Sequence, residues 1–259
     1  MRGRDRWILM VLGVWVLAPI GLLTLRALTP SWRYPQILPD ATGVSAVLAG
    51  MSEGRLKSAA VTSLWLAFAT GVTGTGLGFL IARMVTRAGR RLRRATLALA
   101  LFSVIAPPLA LGVGLQVVLL SLGFGGSRTG VFLAHLVPAT GYLTLFAAGV
   151  FASMDRSVED EARTLGASRR QVWTRVLLPL LRRRLIEGLM LGGLVSWGQL
   201  AITLLIGGGV VRTLPVEVLS LVRSGNDQLG SVAALALSVP PMLAIGLLTA
   251  GARRTGAVV

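Results

Sequence analysis

The sequence predicts an all-α integral membrane protein built on six transmembrane helices. Three observations predict it. First, 54% of the 259 residues are hydrophobic and only 14% are charged, where soluble domains carry about 25% charged residues. Second, apolar runs near the length that crosses a bilayer core, about 20 residues, recur at Trp7–Leu28, Ser58–Ile81, Ala95–Leu122, Gly130–Ala152, Leu185–Ile206 and Leu229–Ala250. They leave no room for a separate soluble domain, so residues 1–259 read as one transmembrane domain. Third, the cations alternate. The N-terminus, the gaps Arg83–Arg94 and Arg156–Arg184, and the tail hold 19 of the 26 Lys and Arg. Cytoplasmic loops retain positive charge, so both termini are expected in the cytoplasm.

The first run starts with Arg2, Arg4 and Arg6 and is too long for a signal-peptide core, so it reads as an uncleaved span. The loop after it carries Pro30, Pro35 and Pro39 and reads as external, with a short helix on the membrane. In the second run Gly74 and Gly78 stand four apart, the spacing that lets membrane helices approach closely. The third run contains Pro107 and Pro108, which remove backbone donors and kink or break the helix. Broken backbone within a membrane is tolerated where it lines a cavity or is buried in protein. A translocation path and a structural kink are both open readings there.

The fourth run holds the single histidine, His135, one turn before Pro138. It reads as a neutral group bonded to a neighbouring helix. The fifth run contains Trp197 and Gln199. Burying the Gln199 amide without a partner costs about 2–7 kcal/mol, so it must face other helices, water or solute. Glu187 follows Arg183 and Arg184 at helical spacing and reads as their ion-pair partner.

The net charge of +16 does not mark a nucleic-acid binder. The basic run RMVTRAGRRLRR has no interleaved aromatic residue. There are no cysteines, hence no disulfide and no thiolate metal site. The sequence offers no metal ligands and no catalytic set. An intramembrane serine protease would need Ser127 within hydrogen-bond reach of His135. A secondary transporter would need intramembrane carboxylates or discontinuous sites, and no Asp or Glu lies centrally in any run.

The most polar stretch is SVEDEARTLGASRRQVWTRVLLPLL, residues 157–181, within the loop 153–184. Ser157 with Asp160, and Ser168 with Gln171, resemble capping boxes. Gly166 suits a left-handed helix stop, and Pro179 marks a bend. Val158, Ala162 and Leu165 share one helical face, and Glu159 and Arg163 form an i, i+4 pair. Val172, Trp173, Val176 and Leu177 cover one arc of the second helix. A plain connecting loop needs neither caps nor a glycine stop, so the pattern reads as a docking element.

This stretch resembles the EAA motif of binding-protein-dependent ABC importer permeases, the MetI-like type I importer family. Asp160, Glu161 and Ala162 stand at Glu-Ala-Ala, Gly166 at the motif glycine, and Leu178 and Pro179 at Leu-Pro. Asp160 keeps the family charge on a shorter arm, and Glu161 adds bulk and charge where the family has Ala. The likeness covers about residues 58–252 and looks closest to iron(III), thiamine and polyamine permeases. The resemblance implies a permease subunit in a bacterial inner membrane, beside a second permease that is the same or a homologous chain. It also implies two ABC ATPase subunits, an extracytoplasmic solute-binding protein and surrounding lipid. The helix Val158–Leu165 would dock on the ATPase, with Glu159, Asp160 and Glu161 facing its polar groups. Pro107, Pro108, Trp197 and Gln199 would border the path. ATP would belong to the partner, with no cofactor here. The residues agree on one point, because a P-loop needs G-x-x-x-x-G-K-[ST] and the single lysine, Lys57, follows Leu56.

Overall fold

Long apolar runs with few charges fold as helices because a bilayer leaves backbone groups no other partners. The computed structural model describes residues 3–30, 32, 36, 42–155 and 157–255. Arg2, Arg33, Pro35, Pro39 and Arg156 lie outside the described residues. All regular elements among the described residues are helical. They are α1 (Gly3–Ala27), α2 (Val44–Ser52), α3 (Gly54–Thr86), α4 (Arg90–Ile105), α5 (Pro108–Ser121), α6 (Arg128–Ser153), α7 (Ser157–Thr164) and α8 (Arg169–Gln171). A π-helical turn (Val172–Leu177) leads into α9 (Leu178–Trp197), followed by α10 (Ala201–Gly207), α11 (Leu214–Arg223) and α12 (Asp227–Thr255). Among them are 4 helices long and apolar enough to cross a membrane, and 6 spans if each of two bent pairs counts as one.

One bent pair is the expected break. Ala106 and Pro107 are extended between α4 and α5, which meet at 106°. A residue before proline is pushed out of the helical region, so two prolines in a row force two extended residues. The other bent pair lies in the fifth run, for which the sequence carries no clear sign of a break. The helix stops at Gly198 and resumes at Ala201, turned by 63°.

The chain packs as two compact units. The first comprises residues 1–62 and 212–259. Ala27, Leu56, Leu221, Leu229, Val232 and Ala233 form its core. Arg26 pairs with Asp227 at 3.2 Å, and the Gln228 amide donates to the Ala27 carbonyl at 2.9 Å. Glu217 on α11 is buried and pairs with Arg55. The expected short helix in the first loop is α2.

The second unit comprises residues 63–211. Here α3 and α6 touch at Gly78, where a Cβ would lie 2.6 Å from the Leu143 Cβ. One face further on, a Cβ on Gly71 would lie 2.7 Å from the Leu189 carbonyl of α9. Side chains at these two positions would push the helices apart, so the glycines set the α3–α6 and α3–α9 distances. The two broken spans meet where α5 packs on α10. There the Gln116 amide donates to the Leu205 carbonyl at 2.9 Å.

Candidate coupling site

The loop between α6 and α9 is built from its caps outward. The Asp155 carboxylate accepts from the Ser157 backbone N–H at 2.9 Å, and this bond holds the Asp155 carboxyl below the usual carboxylate range. That corrects the expected Ser157–Asp160 capping box, since Ser157 is the first residue of α7 and its cap comes from upstream. At the other end of α7 the chain stops on a Schellman motif. Ala167 N–H reaches the Ala162 carbonyl at 3.0 Å, and Gly166 N–H reaches Arg163 at 2.9 Å. The motif needs a left-handed residue, and Gly166 has φ +84°. Ala162 and Ala167 then pack side by side on the core beneath.

Ser168 opens the next helix with the expected capping box. Its hydroxyl accepts from Gln171 N–H at 3.3 Å, and the Gln171 side chain accepts from Ser168 N–H at 2.7 Å. The expected bend at Pro179 is absent, because the chain runs on through the π-helical turn, where Leu178 N–H bonds to the Trp173 carbonyl. A proline inside an α-helix clashes with the carbonyl four residues back. A turn widened to five-residue bonds moves that carbonyl aside, so α8 continues into α9 as one rod. Leu178 is half-exposed on that rod.

Underneath lies a core of Phe79, Ala82, Ala147, Val150, Phe151, Val172, Leu177 and Leu181. Phe79 meets Phe151 edge to face at 5.9 Å. The ends of α3 and α6, the π-helical turn and the start of α9 are therefore one packed body.

Electrostatics fix α7 to this body. The Glu159 carboxylate takes two bonds from the Arg83 guanidinium, each 2.8 Å, and a third from Arg87. The Arg83 hydrogen bonds come first in holding the Glu159 carboxyl below its ordinary range, against desolvation, with the charges of Arg83, Arg87 and Arg163 adding. Glu159 thus turns inward to α3, with its expected i, i+4 partner Arg163 adding only charge among the named causes, which corrects the expected outward orientation. Arg83 also lies over the Trp173 ring, 4.5 Å from its centroid. Sequence reading missed Arg83 and Arg87. Their one-turn spacing at the end of a span was the visible signal, while their partner lies 76 residues away for Arg83.

What faces outward is short. Asp160 and Glu161 are exposed, and Leu165 is 89% exposed. The expected shared face of Val158, Ala162 and Leu165 is corrected: Ala162 packs inward, while Leu165 sits where the helix unwinds and points out.

The residues expected to border a path lie at the two helix breaks. Pro107 and Pro108 are exposed at the α4–α5 break, and Gln199 is partly exposed at the α9–α10 break. Trp197 is buried at 6% exposure, packed within the chain. Glu187 pairs with Arg184 at 2.8 Å and Arg183 at 3.2 Å, as the spacing predicts. His135 is fully buried between Ser196 of α9 at 2.9 Å and Thr203 of α10 at 3.0 Å. The Thr203 hydroxyl donates to the Gln199 carbonyl at 2.6 Å, so it can only accept from His135 Nε2–H. His135 Nδ1 then accepts from Ser196. Ser127 instead caps α6 by accepting from Gly130 N–H at 3.0 Å, so the protease pairing with His135 does not form. Ser196 contacts the imidazole, but the other ring nitrogen is spent on Thr203. The contact is a helix tie.

Two broken spans thus pack together, and the charged loop is clamped to the end of α3. A family model described as "Binding-protein-dependent transport system inner membrane component" matches residues 74–254. The molybdenum transport system permease protein ModB of Mycobacterium tuberculosis (strain ATCC 25618 / H37Rv) is 31% identical over 212 residues, 76% of this chain and 79% of that protein. The putrescine transport system permease protein PotI of Escherichia coli (strain K12) is 27% identical over 195 residues, covering 72% and 69%. A solved bacterial ABC transporter involved in the import of the acidic polysaccharide alginate shares the fold, with TM-score 0.71 at 14% identity over 95% of this chain and 94% of that one. The chain belongs to the binding-protein-dependent inner membrane component family. It is a permease subunit of an ABC importer that works with a solute-binding protein. The likeness to a polyamine permease agrees with the expectation from sequence, and the likeness to a molybdenum permease extends it.

Proposed function

We propose that this permease couples solute passage to ATP hydrolysis on a separate ATPase, and that α7 is the coupling helix. The observation that carries the reading is the exposed tip of α7. A leucine 89% exposed stands in the turn that ends α7, next to a helix that carries two outward-facing acids and is held at both ends by caps and at its side by arginines. Apolar anchors set in a polar rim are what protein partners bind. A rigid mount lets such a contact transmit displacement, because little ordering entropy is lost on docking. Asp160 and Glu161 form the rim; Glu159 does not, being spent on α3.

In this reading each of two permease subunits, identical or homologous, receives one ATPase subunit. Both termini and the α6–α9 loop lie in the cytoplasm, on the charge asymmetry of the loops, and the binding protein delivers solute from the other side. The path runs beside the two broken spans, bordered by Pro107, Pro108 and Gln199, with Trp197 supporting the second break from within the chain. The cargo is a small polar solute, on the likeness to molybdenum and putrescine permeases.

The test is purification of Leu165→Ser and Asp160→Lys chains with the ATPase. Both lose ATPase on size exclusion while the spans still insert. Full retention of ATPase by both variants rejects α7 as the docking helix. For the path, Gln199→Leu keeps the ATPase bound but weakens ATP hydrolysis stimulated by the binding protein. Unchanged stimulation removes Gln199 from the path.

A further inference from the structure

We infer that Arg83 is a positioning residue that ties the coupling helix to α3, so that α7 moves the second span as well as the fifth. The inference rests on the reading of α7 as the ATPase-docking helix. The mechanical link from α7 to the fifth span is in the chain itself, through Gly166, α8 and the π-helical turn. Nothing covalent links α7 to α3. Their direct polar tie is the Arg83 fork on Glu159, with both bonds at 2.8 Å, reinforced by Arg87.

Three features make this tie a joint rather than a surface ion pair. Both side chains are largely shielded, 10% and 13% exposed, so water screens them little. The fork is bidentate, which fixes orientation as well as distance. The same guanidinium covers the Trp173 face at 4.5 Å, so Arg83 touches α7 and the π-helical turn at once. Lysine could not replace it, having neither the fork nor the flat face.

The rest of α3 is suited to receive a push. Gly71 and Gly78 let its backbone lie directly against α9 and α6, so a shift at the Arg83 end has little slack to absorb it. A cleft of about 220 Å³ opens beside the joint, bordered by Thr86, Arg87, Asp155 and Asp160. It leaves room for Arg87 to release Glu159 while Arg83 keeps it. Arg87 is then the adjustable contact, at 44% exposure, and Arg83 the fixed one.

The experiment uses the full chain with its ATPase in lipid nanodiscs. The chain has no cysteine, so spin labels placed at Met84→Cys and Ser157→Cys, attached before the ATPase is added and carried by one permease copy per complex, report the α3–α7 distance. Five backgrounds are compared: unchanged, Arg83→Gln, Arg83→Lys, Glu159→Gln, and the exchange Arg83→Glu with Glu159→Arg. Distances are measured without nucleotide and with a non-hydrolysable ATP analogue, alongside ATPase retention and ATP hydrolysis.

In the unchanged chain the α3–α7 distance stays single and constant on nucleotide binding. In Arg83→Gln the ATPase is retained, the distance broadens and shifts with nucleotide, and hydrolysis stimulated by the binding protein falls about tenfold. Arg83→Lys lies between, and the exchange restores a single distance. A constant, narrow distance in Arg83→Gln overturns the inference. So does loss of ATPase from Glu159→Gln that the exchange does not recover, because that places Glu159 on the ATPase. If instead Leu165→Ser retains the ATPase in full, the docking reading fails, whatever the α3–α7 distance does.

Discussion

The two ends of α9 meet opposite problems with opposite chemistry. At its start, beside the π-helical turn, α3 and α7 are joined by ionised groups, Arg83 and Arg87 on Glu159. At its finish, where the fifth span breaks, α6, α9 and α10 are joined by neutral groups, Ser196, His135, Thr203 and the Gln199 carbonyl. The difference follows the surroundings. The charged joint is largely shielded but pairs its charges, so the Arg83 fork outweighs the cost of desolvating Glu159. The neutral knot is fully enclosed, where each unpaired polar group costs about 1–3 kcal/mol and a buried charge costs far more. The charged joint can be adjusted through Arg87, its exposed contact. The neutral knot can only be made or broken.

Breaking the neutral knot has the largest expected effect on folding. His135→Leu removes the acceptor for Ser196 and the donor for Thr203. It destabilises the chain by about 1–3 kcal/mol, and His135→Gln recovers part of the loss by keeping one polar contact. Thermal unfolding in detergent measures both, and an unchanged midpoint in His135→Leu would show that the knot is not structural.

Gly166→Val comes next. No atom lies near enough to obstruct the new side chain, so the penalty is purely conformational. A left-handed residue with a Cβ costs about 1–2 kcal/mol, and a β-branched one sits at the upper end. The Schellman stop is lost, α7 is misplaced, and ATPase binding falls with it. Gly166→Asn, which tolerates the left-handed region better, keeps most of the binding, and equal loss in both variants would point to space rather than conformation.

The charged joint should respond to pH. Glu159 is held below its ordinary carboxyl range in the folded chain. Its contribution is therefore fully present above the unfolded value, about 4.3. It is lost as pH falls through the lower folded value. Amide exchange in α7, corrected for intrinsic rates, should accelerate over that acid window. Glu159→Gln should exchange faster already at neutral pH, with no acid step. An acid step that survives in Glu159→Gln assigns the transition to another carboxyl, with Asp155 the first candidate.

The smallest effect on folding belongs to Leu165. Its side chain buries almost nothing, so Leu165→Ser changes stability by no more than about 0.5 kcal/mol. Its effect on ATPase binding should nevertheless be about tenfold, the worth of one apolar anchor. A variant that is silent in folding and strong in assembly separates the two kinds of contact along this loop.

The local signals were legible because they depend on neighbours in sequence. The six apolar runs, the Pro107–Pro108 break, the Gly166 stop, the Ser168–Gln171 box and the Glu187 pairs all reappear in the structure, and each rests on residues at most one helical turn apart or on one continuous run. The misreadings also have physical causes. Helical periodicity placed Leu165 on one face with Val158 and Ala162, but the helix unwinds there. Proline rules placed a bend at Pro179, but a π-helical turn makes room for the ring. Gly198 alone was too weak a sign to forecast a break in the fifth span.

The sequence by itself determined a helical membrane chain, the number of apolar runs, the alternation of positive charge between the gaps and the capped loop that resembles a coupling motif. Each follows from composition, helical period and backbone sterics, which act over a few residues. Only the tertiary structure decided which way the acids of α7 face, that His135 ties two halves of a broken span, and that Glu217 is buried with Arg55. Those are pairings across 61 to 162 residues of chain. They are set by which helices pack together, and a single sequence carries no local signal of that choice.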